Sequence, residues 1–334
     1  MVGGILRAGL LAFSCLLMAP VALAQSNTET QDDAFELLQK AQLAARQSDY
    51  DGVFTYQQGA TMQSSRVVHL VDGTGERERL EILDGAPREF ILQDDMVHCL
   101  LPEKKVVVIE DRRIDRFPSL LIGQAEGLAD FYSFHMAGTP ERVAGRQCVL
   151  VDVIPKDEHR YGYRLCIDSQ THLLLKAQTL DTDRKVVDQI AFTSVRLGND
   201  VRADQIESAW DTKDWKTVRP IVTPIDIASL GWRIAPLPGF DYVTQISRPM
   251  RSGATVKQLV LSDGLAAISV FIEAVSETQE RKALPKGGAR TGAINIYGAR
   301  IGDHWFTAIG EVPSGTLREL ADHTEYVPLA VPSN

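Results

Sequence analysis

Histidines, cysteines and one basic segment are the side chains of this sequence that could define a chemical site. Seven histidines lie at positions 69, 98, 135, 159, 172, 304 and 323, and no two of them have the close spacing of a metal-binding pair. The sequence contains no Gly-x-Ser-x-Gly, His-Glu-x-x-His or Cys-x-x-Cys motif. We therefore expect no catalytic residue, no metal ion and no cofactor, and a hydrolase whose site is assembled only in space is a remote alternative.

The cysteines indicate one disulfide bond. Beyond the first 24 residues the chain has Cys99, Cys148 and Cys166, and an odd number leaves one thiol unpaired. The segment from Cys148 to Cys166 is typical of a strand, a polar turn near Asp157 and a second strand, with the two sulfurs placed symmetrically about the turn. Since facing residues of a hairpin lie close together, we expect a Cys148–Cys166 bond. Three buried thiols are the alternative.

A glycine-rich basic loop stands out in an otherwise acidic chain. It runs from Arg281 to Ala293 and contains four cations. We consider Lys282, Lys286 and Arg290 as candidates for contact with an acidic peptide or with lipid phosphates, because charges of this kind accelerate encounter with an oppositely charged partner. A solvated loop without a specific ligand is the alternative.

A second candidate is an apolar segment from Phe117 to Met136, which we call the plug. It contains many large apolar residues but too much glycine and proline for a single helix. Apolar elements that cover an open sheet can part and admit an acyl chain, whereas a finished hydrophobic core is the simpler alternative. The side chains that we expect to touch such a chain are Phe117, Leu120, Leu121, Phe131, Tyr132 and Phe134.

The first 24 residues have the features of a secretory signal peptide. They carry one charge, Arg7, followed by an apolar run from Ala8 to Val21 and by small residues up to Ala24. The apolar run is too short for a membrane span. We therefore expect residues 1–24 to be removed and the exported chain to begin at Gln25.

The composition indicates an acidic globular protein. The 334 residues include 35 basic and 44 acidic side chains, which gives a net charge of −9. Because an acidic chain is not attracted to polyanions, we expect no nucleic-acid partner. A hydrophobic content of 44% with 24% charged residues is ordinary for globular proteins.

The elements that would position these residues begin with a large sheet. An apolar stripe predicts a helix from Asp32 to Ser48, after a polar segment without structure. Alternation of apolar and polar residues predicts an antiparallel meander with one apolar face, to which we assign Phe54, Val68 and Leu80. The predicted strands are 53–57, 66–71, 77–83, 88–93, 96–101, 105–110, 147–154, 161–167, 173–180 and 186–197.

A smaller β-rich unit follows a proline-containing connection. Two prolines in an extended stretch indicate a semi-rigid linker over residues 216–226. Asp263-Gly264 is a tight-turn signal, and Pro313 begins a final helix that ends near His323. The predicted strands are 232–234, 240–247, 256–262, 265–273, 293–297 and 305–310. We thus divide the mature chain into domains at 25–215 and 227–325, with a tail at 326–334.

Four stretches of the sequence resemble the RseB/MucB family. They are Tyr50–Gln58, His159–Asp168, Gln258–Glu273 and Gly302–Pro313, and the resemblance extends over nearly the whole mature chain. It implies an α+β fold, mostly antiparallel β. The larger domain would be a half-open β-barrel like those of the lipoprotein carriers LolA and LolB, and the smaller C-terminal domain would be β-rich.

The resemblance also implies a binding protein rather than an enzyme. Members of this family are periplasmic negative regulators of an envelope-stress (extracytoplasmic-function) sigma factor. They hold the periplasmic part of a membrane anti-sigma factor and shield it from a site-one protease, and acyl chains of misplaced lipopolysaccharide or lipoprotein are thought to release that hold. We expect the same partners and a periplasmic location here. A lipid or lipoprotein carrier is the alternative function, and a second copy of the chain is a further candidate partner, which would form a homo-oligomer.

Overall fold

A computed structural model describes residues 22–73, 75–93, 95–111, 117–118, 127–249, 255–275 and 287–328. Side chains are described from residue 31 onward. No helix in these ranges combines the length and the apolar content that crossing a membrane requires. Within them the chain folds into two sheet-based domains that share a contact surface.

The first domain is built on one long sheet whose neighbouring strands are antiparallel, except for β12 and β6, which are parallel. In the part of the chain that the structure describes, this sheet has twelve strands, in the spatial order β12-β6-β5-β4-β3-β2-β1-β11-β10-β9-β8-β7. Within the described residues its edge strands, β12 and β7, do not pair with each other, so the sheet does not close into a barrel. The strands are β1 Tyr50–Gln58, β2 Thr61–Asp72, β3 Gly75–Ile82, β4 Arg88–Gln93, β5 Met96–Leu101, β6 Val106–Asp111, β7 Tyr132–Val143, β8 Arg146–Pro155, β9 Gly162–Asp168, β10 Leu174–Leu180, β11 Val186–Leu197 and β12 Lys216–Val218.

The two faces of β2 are both covered, which corrects the prediction of one apolar face. Val67 packs with Leu80 and Phe54 inside the curved sheet. Val68 instead faces the other side, where it forms a small cluster with Ile206 from the segment after β11. Val67 and Val68 lie on different faces because successive side chains of a strand point to opposite sides of the sheet.

The first helix, α1 (Ala22–Gln47), lies against the inner face of the first sheet. Ala34, Leu38 and Ala41 are buried, and they recur at the spacing of one helical face. The helix begins ten residues earlier than Asp32, so the prediction of a structureless polar segment was wrong. That segment contains neither glycine nor proline, and nothing in its backbone opposes a helix.

The plug is only partly helical. Its described residues include a single short helix, α2 (Leu128–Phe131), after which β7 begins at Tyr132. The prediction that the plug extends to Met136 without a strand was therefore wrong. Tyr132 and Phe134 are buried while His135 is exposed, which is the alternation of a strand with one covered face.

The disulfide bond between Cys148 on β8 and Cys166 on β9 is confirmed, with Cα atoms 5.4 Å apart. The register differs slightly from the symmetric one that we expected, because Cys166 faces Leu150 and Cys148 faces Asp168. The bond thus joins diagonal neighbours. Cys99 on β5 is not in a disulfide and is half-buried.

β1 also carries a buried carboxylate that is hydrogen-bonded to neighbouring elements. Asp51 is 4% exposed, and its oxygens accept hydrogen bonds from Arg66 (2.9 and 3.0 Å), from Arg196 and from Gln205 (3.0 Å). Burial alone would raise the pKa of Asp51, but the guanidinium groups of Arg66 and Arg196 hold it below its ordinary value. The charged carboxylate of Asp51 thus links β1, β2, β11 and the segment that follows β11.

The connection between the domains is paired with both sheets. β12 lies parallel to β6, with Lys216 opposite Val106. At the other end β13 (Thr223–Pro224) pairs with the first long strand of the second domain, with Thr223 opposite Ser247. The extended connection that the two prolines predicted is therefore held at both ends by backbone pairing.

The second domain packs a helix against a smaller sheet. The described residues form a sheet of seven strands, in the order β13-β15-β16-β17-β20-β19-β18, and a separate pair, β14-β21. α3 (Ser314–Asp322) buries Leu317 and Leu320 in the core of this domain, which also contains Trp232 and Phe306. The strands are β14 Trp232–Ile234, β15 Asp241–Pro249, β16 Thr255–Ser262, β17 Ala267–Ala274, β18 Gly287–Thr291, β19 Ile294–Ile301, β20 His304–Gly310 and β21 Thr324–Tyr326.

Candidate functional site

The inner face of the first sheet is lined by aromatic side chains. Phe117, from the start of the plug, lies between Phe54 and Phe192, with ring centroids 5.2 and 4.9 Å from theirs. On the neighbouring part of this face, Phe134 is fully buried and packs against Phe35 of α1 at 4.9 Å. The structure thus places Phe117 and Phe134 inside the curved sheet. Leu120 and Leu121 lie outside the described residues.

Two other plug residues lie at the contact between the domains. The ring of Phe131 packs so closely on Gly239 of the second domain that a Cβ atom there would be 2.7 Å from it. Gly239 also has a φ of +79°, which disfavours other residues. Tyr132 is fully buried, and its hydroxyl donates a 2.8 Å hydrogen bond to Oδ2 of Asp263. Desolvation raises the pKa of Tyr132 well above its ordinary value, so the phenol stays a neutral donor.

Arg160, in the turn between β8 and β9, is the central side chain of this junction. Its side chain is 0% exposed, and Nη1 lies 3.2 Å from Oδ2 of Asp263, which is equally buried. Nη2 donates a 2.5 Å hydrogen bond to the carbonyl oxygen of Pro238. The guanidinium carbon also lies 4.7 Å above the ring of Phe131 and 4.9 Å above that of Phe240. Such stacking on aromatic faces stabilises a desolvated cation.

The Asp263 turn presents an acceptor to this cation. The sequence predicted a tight turn at Asp263-Gly264, and the structure confirms it. Oδ1 of Asp263 accepts the backbone N–H groups of Leu265 (2.9 Å) and Ala266 (2.7 Å). These bonds orient the carboxylate, and its other oxygen faces Arg160 and Tyr132 of the first domain. Leu265 itself packs into the core of the first domain.

The start of α3 forms another part of the junction. Oγ1 of Thr316 donates a 3.0 Å hydrogen bond to the carbonyl oxygen of His159. Nδ2 of Asn295 is buried and donates to the hydroxyl of Tyr161 at 3.0 Å. Together with Arg160, the β8–β9 turn therefore provides three consecutive residues that contact the second domain.

A further contact lies around Asp188 on β11. The hydroxyl of Tyr56 and the backbone N–H of Ala293, which belongs to the second domain, each donate a 3.0 Å hydrogen bond to its Oδ2. Asp188 is 4% exposed. The turn between β18 and β19 thus reaches across to the first sheet.

A cleft of about 630 Å³ opens beside Arg160, where the two domains meet. Its apolar floor comes from the ends of β8 and β10, and the start of α3 closes one side. Glu158 and Asp181 on the rim have no cationic partner among the described residues. The lining residues are Val153, Ile154, Pro155, Asp157, Glu158, Arg160, Gly162, Leu180, Asp181, Thr182, Arg184, Pro313 and Gly315.

The predicted basic loop is described from residue 287 onward, and there the prediction of a loop was wrong, because Gly287–Thr291 forms β18. Lys282 and Lys286 lie outside the described residues. Arg290 is exposed on β18, and its Nε donates a 2.7 Å hydrogen bond to the carbonyl oxygen of Gly292. Arg290 thus lies on the strand that leads into the contact around Asp188.

The histidines do not form a shared site in the described part of the chain, where no three His, Cys, Asp or Glu residues are grouped as metal ligands. His69 is fully buried, with its ring nitrogens 2.8 Å from the carbonyl oxygen of Ser48 and 3.0 Å from Glu76. His304 packs edge-on against Trp232, and burial lowers its pKa. Both histidines therefore take part in packing and hydrogen bonding within the fold.

Sequence reasoning missed the junction residues Arg160, Asp188 and Asp263. Arg160 and Asp263 each occur in a polar turn, where charged side chains are usually solvated. Their partners are distant in sequence: Tyr132 and Asp263 are separated by 131 positions, and Asp188 and Ala293 by 105. No local pattern could have indicated these contacts.

Curated relatives resemble the chain along most of its length. The sigma factor AlgU regulatory protein MucB of Pseudomonas aeruginosa is 30% identical over 315 residues, covering 92% of this chain and 95% of that protein. The sigma-E factor regulatory protein RseB of Escherichia coli is 24% identical over 320 residues, covering 94% and 97%.

Solved structures show the same fold. A crystal structure of MucB in complex with MucA(peri) superposes with a TM-score of 0.67 and 27% identity, covering 88% of this chain and 99% of that one. The MucB/RseB N-terminal domain model matches residues 33–210, and the MucB/RseB C-terminal domain model matches residues 226–325. With both domains matched in order, the chain belongs to the MucB/RseB family.

Proposed function

We propose that this protein is a periplasmic regulator that binds the periplasmic part of a membrane anti-sigma factor and shields it from site-one proteolysis. The observation that carries the proposal is the two-domain match to MucB in its complex with MucA(peri), at a TM-score of 0.67 over 88% of the chain. The named relatives are regulators of a sigma factor, which supports a binding role rather than catalysis. The cell compartment follows from the expected signal peptide.

The direct test combines binding with protection. The mature protein is titrated with the purified periplasmic part of the anti-sigma factor encoded in the same genome, and the site-one protease is then added to the mixture. We expect saturable binding and slower cleavage of the bound anti-sigma factor. Binding without protection would refute the shielding role, and absence of both would refute the proposed function. Turnover of ester or glycan substrates, abolished by an inhibitor, would favour the hydrolase alternative.

The basic loop is our proposed contact for this partner. Charge in an exposed loop mainly accelerates encounter and makes binding sensitive to salt. We expect reversal of Lys282, Lys286 and Arg290 to weaken binding at low salt and to expose the anti-sigma factor to its protease. The matched control reverses Arg233, which is exposed on the second domain and weakly paired at 4.0 Å. Unchanged affinity of the triple variant at low salt would contradict this assignment.

The cleft at the domain junction is the competing contact for the partner. Its rim carries Glu158 and Asp181, so a basic segment of the partner would be favoured there. Replacing both with lysine discriminates between the two surfaces, because it should leave binding unchanged if the basic loop is the contact.

Acyl-chain release is the second part of the proposed function. Its support is an open sheet whose inner face is apolar and is covered by the plug and α1. We propose that an acyl chain enters beneath the plug, near Phe117, Leu120 and Leu121. Each methylene that it buries would contribute about 0.8 kcal/mol.

Lipid binding can be tested with a variant that leaves the domain junction unchanged. Phe131 and Tyr132 belong to the proposed lipid site but also contact the second domain, so Phe117 and Leu121 are the better choice. We expect their replacement by Asp to abolish binding of a fluorescent fatty acid and of lipopolysaccharide, with unchanged circular dichroism. Ile221→Asp, at a residue that is 74% exposed, is the control. Lipid binding without any anti-sigma binding would favour the carrier alternative.

A further inference from the structure

Asp188 is a buried carboxyl group that joins the two domains without a bonded cation. Tyr56 of the first domain and the backbone N–H of Ala293 of the second domain both donate to Oδ2, each at 3.0 Å. No residue among those described forms a salt bridge with it. A buried carboxylate is stable only when its charge is compensated, and two neutral donors on one oxygen compensate it partly.

The other oxygen of Asp188 is not satisfied. Oδ1 is buried and has no hydrogen-bond partner among the described residues. The backbone N–H of Gly59 lies near the carboxyl group and lowers the pKa of Asp188, but burial outweighs it. A Cβ atom at Gly292 would overlap with Oδ1, so the second domain packs directly on this atom. Nε2 of Gln58, beside the same glycine, is also buried without a partner.

A second carboxyl group lies near this contact in the other domain. Glu311 follows β20, whose last residue, Gly310, pairs with Asn295 two positions after Ala293. Glu311 is half-buried and has no hydrogen bond or ion pair within the described residues. Burial raises its pKa, and the charge of Asp188 raises it further. Burial likewise raises the pKa of Asp188.

The remaining ionisable groups around the contact form no ion pair with either carboxyl group within the described residues. Tyr56 on β1 and Tyr163 on β9 are neutral phenols whose pKa values are raised by burial and by the charge of Glu311. Asp263 and Arg160, which also act on Tyr163, are paired with each other. Arg290 on β18 is the nearby cation, and its charge lowers the pKa of Asp188, but burial has the larger effect. Its Nε donates to the carbonyl oxygen of Gly292 rather than to the carboxylate.

We propose that Asp188 and Glu311 form a proton-binding contact that locks the second domain onto the first when at least one of the two carboxyl groups is protonated. When both are ionised, two like charges without a bonded cation among the described residues lie at a closed interface, and the domains separate at this contact. This pH-dependent docking requires neither the anti-sigma factor nor a lipid, and neither is present in the experiment that tests it.

The direction of the pH effect follows from linkage. The docked state holds protons more tightly than the open state, in which the ordinary pKa values of 3.8 for Asp188 and 4.5 for Glu311 apply. Docking therefore takes up protons at pH values above these ordinary values, and it weakens as the pH rises through the raised values. The docking constant changes by at most about tenfold per pH unit for each proton taken up.

The Ala293 amide is a direct reporter of this contact, because its N–H donates across the junction to Asp188. Hydrogen exchange is measured on the full mature protein from pH 5 to pH 8 and is expressed as a protection factor, which removes the intrinsic pH dependence of exchange. The amide of Val270, in the core of the second domain, reports global opening. We expect the protection of Ala293 relative to Val270 to fall by about tenfold or more over this range.

Two isosteric variants, Asp188→Asn and Glu311→Gln, test the assignment. Each removes one ionisable group, so we expect the relative protection of Ala293 to change less than about twofold with pH in the double variant and to remain high at pH 8. Asp204→Asn, at an exposed residue paired with Arg202, is the matched control and should behave like the parent. If Asp188→Asn fails to fold, Glu311→Gln carries the test, because within the described residues Glu311 forms no hydrogen bond that the substitution would break.

The proposal is overturned by either of two results. One is a relative protection of Ala293 in the parent protein that stays constant or rises from pH 5 to pH 8. The other is a double variant that loses protection with pH as steeply as the parent, which would assign the effect to other groups.

Discussion

Removing the guanidinium group of Arg160 should destabilise the protein much more than removing an arginine from the surface. In Arg160→Met the carboxylate of Asp263, which is 0% exposed, loses its cationic partner at 3.2 Å. Breaking a buried ion pair from one side costs about 3–5 kcal/mol. Asp263 keeps its bonds from Tyr132, Leu265 and Ala266, so we expect a loss near the lower end, about 3 kcal/mol.

The assay is urea denaturation of the parent and variants, which gives the free energy of unfolding. The matched control is Arg164→Met: this arginine is 38% exposed, and its partner Asp152 also has Arg184 nearby. Because Arg164 is solvated and Arg184 remains beside the buried Asp152, we expect a loss of about 1 kcal/mol or less. Adding Asp263→Asn to Arg160→Met should recover part of the loss, because the uncompensated charge is then absent. Equal losses in Arg160→Met and Arg164→Met, or no recovery in the double variant, would refute the assignment of Arg160 as the central contact.

Three further outcomes are expected. Cys148→Ser should lower the free energy of unfolding by about 3 kcal/mol, and reduction of the parent with dithiothreitol should have the same effect. Gly239→Ala, which forces a Cβ atom against Phe131, should cost about 2 kcal/mol or more, whereas Gly73→Ala, with open space around it, should stay within about 0.5 kcal/mol in the same urea titration. The lowered pKa of Asp51 makes its contribution to stability present above its ordinary pKa of 3.8 and lost as the pH falls through the lowered value. Asp51→Asn should therefore destabilise at pH 7, with a difference from the parent that shrinks in acid titrations below pH 4; a difference that does not depend on pH would contradict this reasoning.

Local patterns predicted most of the strands because burial on a sheet repeats every two residues. Strands β4, β5 and β11 have the predicted bounds, and the hairpin of Cys148 and Cys166 was identified from its spacing alone. β7 was missed because its apolar residues follow directly after glycine- and proline-containing sequence. Its later part contains Gly138 and Pro140 and a break in register between Ala137 and Glu141, which obscure the alternation.

The contact between the domains could not be predicted because its chemistry is not local. Arg160 resembles any solvated arginine of a polar turn until the fold brings Phe131, Phe240 and Asp263 around it. Asp188 likewise lies on a strand where an exposed carboxylate would be ordinary. Burial by a separate domain determines the role of both residues.

The paired connection also limits what happens when the domains separate. Residues 219–222 are the part that lies between β12 and β13, and extended chain spans at most about 3.6 Å per residue. An undocked second domain therefore stays within a short reach of its partner surface, at an effective concentration that is in the millimolar range for short flexible linkers. Rebinding is then intramolecular and does not depend on dilution. A protease cut within residues 219–222 would convert the same contact into a bimolecular one, which would come apart in dilute solution.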